Sequence, residues 1–116
     1  DNSIRQALTE ACDTALHQFA GFVWLTHVVD YDRFPDSLKV ICIFETNQQL
    51  SDLYECGGHS AFFRLIHEQL KAFCIPLKHL SKQLFFDSEQ ACEAEHGGNW
   101  KRRLEQPLRG KPTVLH

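Results

Sequence analysis

A chain of 116 residues and 13.4 kDa has room for one domain of common size and not for two. With 43% hydrophobic and 23% charged residues it can bury an ordinary core, which excludes a disordered chain. Its greasiest stretch, residues 38–44, has strand length and falls far short of a membrane helix. The net charge of −3 divides unevenly: residues 1–96 hold seven Lys/Arg against fourteen Asp/Glu, whereas residues 97–116 hold five against Glu105 alone. An acidic body repels phosphate, so contact with nucleic acid would have to use the C-terminal segment or a local patch. A solvated terminal segment accounts for the same run of charge.

Ile4, Leu8, Ala11, Cys12, Ala15, Leu16 and Phe19 recur at three- and four-residue steps, which predicts an amphipathic helix from Ser3 to about Phe19, capped by Ser3 or Asn2. After Gly21, the β-branched and aromatic run 22–29 predicts a strand. Residues 30–37, with Pro35 and three aspartates, read as a polar connection to a second strand over 38–45, the pair forming an antiparallel hairpin. Thr46 or Asn47 should cap a short helix through Leu50, Leu53 and Tyr54, which Gly57-Gly58 stops. A longer helix from Ser60 carries Phe62, Phe63, Ile66, Leu70 and Phe73 and ends before Pro76. Residues 83–86 predict a third strand, and Asp87 with Gln90 reads as the capping box of a helix through Ala91, Cys92 and Ala94 that Gly97-Gly98 closes. The expected fold is α+β and two-layered, a small mixed three-stranded sheet packed by helices in the order α-β-β-α-α-β-α. One domain over 1–96 is followed by a basic segment, 97–116, expected as a short helical turn or an irregular tail.

This order, with a helix pair broken at Gly57-Gly58 within Glu55-Cys56-Gly57-Gly58-His59-Ser60, resembles the type II KH fold, and its spacing resembles the ribosome-binding factor A family over roughly residues 3–87. The resemblance implies contact with structured RNA or the ribosome through the helix break and the sheet edge. The strings Trp24-Leu25-Thr26-His27, Arg33-Phe34-Pro35, Ser37-Leu38-Lys39-Val40 and Asp87-Ser88-Glu89-Gln90-Ala91-Cys92 followed by Gly98-Asn99-Trp100 resemble a group of small gamma-proteobacterial proteins. These are sometimes named as regulators of the factor-for-inversion-stimulation type. Such a regulator reads DNA with a C-terminal helix-turn-helix, for which the residues after Gly97, Pro107 and Pro112 among them, leave no room.

Candidate nucleic-acid contacts are Gly57, Gly58 and His59 at the break, together with Trp100, Lys101, Arg102 and Arg103, where an aromatic ring beside three cations can stack a base and hold phosphates. The same spacing lets Trp100 and Leu104 pack back on the domain at i and i+4 while the cations stay solvated. Cys56 with His59 and Cys92 with His96 offer the four thiolate and imidazole ligands of tetrahedral zinc, although neither cysteine is out of place as a small buried hydrophobe. Cys42 in mid-strand and Cys74 between Phe73 and Ile75 lie in apolar settings and read as core, not as nucleophiles. Asp30, Asp32 and Asp36 could hold a cation, but loop aspartates more often bond their own backbone. No glycine loop has the frame that cradles a nucleotide, and no residue is assigned a catalytic role. Five cysteines, an odd count without C-x-x-C spacing, point to a reducing, cytoplasmic setting. The sequence thus reads as a small non-enzymatic binding module for RNA or the ribosome. Its alternatives are a regulatory or interaction domain that dimerises through a sheet edge, since open edges pair readily, and a zinc-binding protein.

Overall fold

The computed structural model describes residues 2–34, 36–75 and 80–105. Helix α1 (Asn2–Gln18) buries Ile4, Ala7, Leu8, Ala11 and Ala15. The three alanines keep this face thin, so the helix can lie close against its neighbours. Strand β1 (Phe22–Val28) then pairs antiparallel with β2 (Lys39–Phe44), with Trp24 opposite Ile43, Leu25 opposite Cys42, Thr26 opposite Ile41 and His27 opposite Val40. The register slips between Phe22 and Trp24, so Val23 occupies a bulge. In the connection, the Asp30 carboxylate accepts the Asp32 backbone N–H at 3.0 Å and starts a single 3-10 turn over Tyr31–Arg33.

Helix α2 (Asn47–Glu55) is entered through a full capping box: the Thr46 hydroxyl accepts from the Gln49 N–H, and the Gln49 side chain accepts from the Thr46 N–H, each at 3.1 Å. Helix α3 (Gly58–Ala72) follows after Gly57, whose φ of 75° lies in the left-handed region. It therefore begins two residues before the expected Ser60, because this one residue makes the turn. At its far end Cys74 takes a φ of 59°, its N–H reaching the Lys71 carbonyl while the Ile75 N–H reaches that of Leu70. This is the Schellman pattern with cysteine where glycine is usual. The helical turn α4 (Leu80–Gln83) leads into β3 (Leu84–Ser88), which runs parallel to β2. Helices α5 (Glu89–His96) and α6 (Trp100–Glu105) complete the described chain.

Among the described residues, the strands form one mixed sheet in the order β1-β2-β3, an α+β arrangement as the sequence pattern predicts. Two local expectations need correction. Gln83 belongs to α4 and not to β3, because its side-chain amide turns inward to the carbonyl of Leu38 at 2.8 Å, and the strand instead runs on to Ser88. The cap of α5 is Ser88, whose hydroxyl accepts the Ala91 N–H at 3.0 Å; the expected partner Gln90 reaches away to accept the Asn47 N–H at 2.9 Å.

Both faces of β2 are buried. Val40, Cys42 and Phe44 face α1, α2 and α3, where Phe62 sits 5.2 Å from Phe22, 6.0 Å from Phe44 and 5.4 Å from Phe86 between ring centroids. Ile41 and Ile43 face the other way, beside Phe85 and under Trp24, Trp100 and Leu104.

Candidate interaction surface

At the helix break the positive φ of Gly57 is what calls for glycine, since a Cβ there would meet nothing within 4 Å. Gly58 is held by packing, because a Cβ would stand 2.8 Å from Leu53 Cδ1. The His59 ring lies 4.8 Å from that of Tyr54, and its Nδ1 is buried without a hydrogen-bond partner among the described residues. Asp52 and Glu55 from α2 flank the turn, with Arg64 one helical turn and more into α3. The local field is acidic.

The C-terminal cluster has been put to structural use. Trp100 meets Trp24 edge-on at 5.2 Å, and the two indole N–H groups donate to the two oxygens of the single Glu89 carboxylate, at 2.5 and 3.2 Å. Arg103, only 15% exposed, grips Asp87 through Nε at 2.6 Å and Nη2 at 3.0 Å. Its Nη1 donates to Glu95 at 2.9 Å and to His96 Nδ1 at 3.1 Å. The hydrogen bonds that the guanidinium donates to Asp87 raise its pKa above the ordinary value against the opposing effect of burial. Of the three cations expected to stay in solvent, Lys101 and Arg102 do so and Arg103 does not. Trp100 and Leu104 pack back on the sheet.

The four candidate zinc ligands do not gather: among the described residues no group of three or more His, Cys, Asp or Glu side chains could hold a metal ion. Cys56 is exposed and turns its thiol to the Leu53 carbonyl, while Cys92 is fully buried, and burial raises its thiol pKa. Cys42 is likewise enclosed, with its thiol pushed well up by burial. Cys74 departs from the expected apolar setting, since the left-handed turn after α3 lifts it into solvent. Of the hairpin aspartates, Asp30 is engaged locally, its carboxylate accepting from the Asp32 amide and meeting Arg33 at 3.4 Å.

What remains is the outer edge of the sheet. The two edges differ: β3 is largely buried, whereas β1 is half-exposed along its length. The Glu45 N–H donates to the Gly21 carbonyl at 2.8 Å, and from there the antiparallel alternation, stepped by the bulge, turns the amides of Trp24, Thr26 and Val28 toward β2. Leu25 and His27 therefore turn their backbone groups away from the sheet. The Leu25 N–H finds the Cys12 thiol on α1, a contact that partly offsets the upward push of burial on that thiol. Among the described residues no strand pairs with this edge. Beside it runs an open groove of about 310 Å³ between α1 and β1, lined by Arg5, Leu8, Thr9, Cys12, Asp13, Leu25, Thr26 and His27. Burial, reinforced by the charge of Arg5, lowers the His27 imidazole pKa. The residues of this groove were no part of the expected site. Their one trace in the sequence is the four-residue step Arg5, Thr9, Asp13, which marks a polar stripe along α1.

Comparisons with protein-family models, curated proteins and solved structures found no match for this chain. Among the described residues, no helix is long and apolar enough to cross a membrane.

Proposed function

We propose that this chain is a protein-interaction module whose open β1 edge takes a strand from a protein partner. The observation that carries the reading is the pair of outward-turned residues, Leu25 and His27, on an edge strand that runs beside a groove of mixed polarity. An edge of this kind supplies backbone hydrogen bonds for affinity and leaves side-chain pockets for selectivity. The acidic body suits a protein better than a phosphate backbone, and Arg103 and the Trp100 N–H are already engaged within the fold. Five cysteines without a disulfide fit a reducing, cytoplasmic place of work.

Capture from the cell's own lysate, with and without ribonuclease, tests the reading when wild type is run beside His27→Pro. Proline at 27 leaves the bonds to β2 intact and removes an outward donor, so the fold is retained and the edge is blocked. A bound protein, whether a second copy or another chain, that survives nuclease and is lost with His27→Pro is the expected result. Captured material that disappears with ribonuclease overturns the reading in favour of RNA. Capture indifferent to His27→Pro removes the edge from it.

A further inference from the structure

We infer that the partner on the β1 edge is a second copy of this chain, related by a two-fold axis that passes beside Thr26 and Thr9; this rests on the reading of the edge as a binding surface. Two antiparallel strands joined across a two-fold must offer one another mutually bonded residues, and β1 meets that condition. Its outward residues are 25 and 27, so an axis at Thr26 sets Leu25 opposite His27 of the second copy and His27 opposite Leu25. In each pair the His27 N–H donates to the Leu25 carbonyl, and the Leu25 N–H exchanges its weaker contact with the Cys12 thiol for the His27 carbonyl. Thr26 then faces its own counterpart, a favourable cross-strand pair.

The side chains follow the same symmetry. Trp24 and Val28, on the face opposite α1, stand directly opposite one another across the axis, so Val28, an apolar side chain left 36% exposed at the end of the strand, meets the second copy's Trp24. On the α1 side, the helix runs antiparallel to β1, with Cys12 beside Leu25 and Arg5 and Thr9 lining the groove toward Thr26 and His27. A helix rises about 1.5 Å per residue and a strand about 3.3 Å, so the helix position level with Thr26 falls close to Thr9. Arg5 and Asp13 stand four residues to either side of Thr9. The axis that pairs residue 25 with residue 27 thereby sets Arg5 of each copy against Asp13 of the other. Strand and helix call for one axis, and the charges at its two ends have opposite sign.

Sedimentation velocity from about 1 to 200 µM reads the outcome, with far-UV circular dichroism confirming that each variant is folded. Wild type should reach a dimer within this range. Arg5→Glu and Asp13→Lys should each raise the dissociation constant about tenfold or more, since each sets like charges together at two places. The double variant Arg5→Glu/Asp13→Lys should recover most of the loss, because it restores an opposite pair across the axis, and His27→Pro should give a monomer. Wild type that stays monomeric throughout overturns the inference, as does a dimer unmoved by Arg5→Glu and by His27→Pro. A monomeric wild type that still captures another protein in a His27-dependent manner leaves the edge as a binding surface with a different occupant. A monomer that captures nothing ends both.

Discussion

On one face of the sheet Phe22, Phe44, Phe62 and Phe86 meet ring against ring beneath three helices. On the other, the six-residue helix α6 is held down by Trp100, Leu104, one carboxylate shared between two indoles and one arginine gripping Asp87 and Glu95. The first face is dominated by non-directional burial spread over many contacts, and losing one contact there is felt by the whole domain. The second depends on a few directional bonds at the rim of a small apolar patch. Interfaces of the second kind open locally before the domain unfolds, because the free energy of opening is set by few contacts. The chain therefore joins a cooperative body to a docked terminal helix.

Phe62→Ala gives the largest expected loss, because Phe62 is fully buried and touches the rings of Phe19, Phe22, Phe44 and Phe86. A cost of about 3–5 kcal/mol in urea unfolding is expected. Every probe should move together. A loss confined to one probe would break the claim that this face is the cooperative one.

Arg103→Met tests the other face. It leaves Asp87 half-buried without its cation, at a cost of about 1–2 kcal/mol after allowance for solvent at that site. Trp24 and Trp100 are the two tryptophans of the chain and both sit here, so intrinsic fluorescence reports this face and not the other. A red shift that precedes the far-UV transition is expected; coincident transitions would show that α6 belongs to the cooperative body. Glu89→Gln should act in the same direction by a smaller amount, since an amide offers one oxygen where two indole donors now share a carboxylate.

Acidification should load the rim of the first face through His27. Its imidazole pKa is lowered in the fold, chiefly by burial and with a smaller contribution from Arg5, so the unfolded chain binds the proton more readily. The corresponding stability is whole above the ordinary value of about 6.5 and is lost as pH falls below it toward the folded value. The thermal midpoint of wild type should drop more than that of His27→Gln between about pH 7.5 and about pH 5. Equal drops would assign the acid sensitivity to other groups.

The amphipathic spacing of Ile4, Leu8 and Ala11 and the β-branched runs at 22–29 and 38–45 made α1 and the hairpin legible, because those signals are local. The role of Arg103 was not legible. Its main partner, Asp87, lies sixteen residues away and had a local explanation of its own as a helix cap, so three adjacent cations read as one solvated patch. The same holds for the metal set. Cys92 and His96 share a helix by spacing, but nothing in the order of residues says that Cys56 turns to the Leu53 carbonyl while Cys92 is buried. The β1 edge was legible as an open edge in general. Which residues face out depends on the bulge at Val23, and a one-residue slip reverses every amide beyond it.

The smallest expected effect lies where α3 ends. Cys74 holds a φ of 59° in solvent, a conformation that costs a side-chain-bearing residue about 1–2 kcal/mol and glycine almost nothing. Against this, glycine gives the unfolded chain more freedom, worth about 0.5–1 kcal/mol, so Cys74→Gly should stabilise by roughly half a kcal/mol. Because α3 belongs to the face built on Phe62, the gain should appear in the global unfolding midpoint. It should leave any earlier tryptophan fluorescence step unchanged, since that step reports α6. If Cys74→Gly moved the fluorescence step as well, the two faces would be coupled through α3 and the sheet, and the division into a cooperative body and a docked helix would not hold.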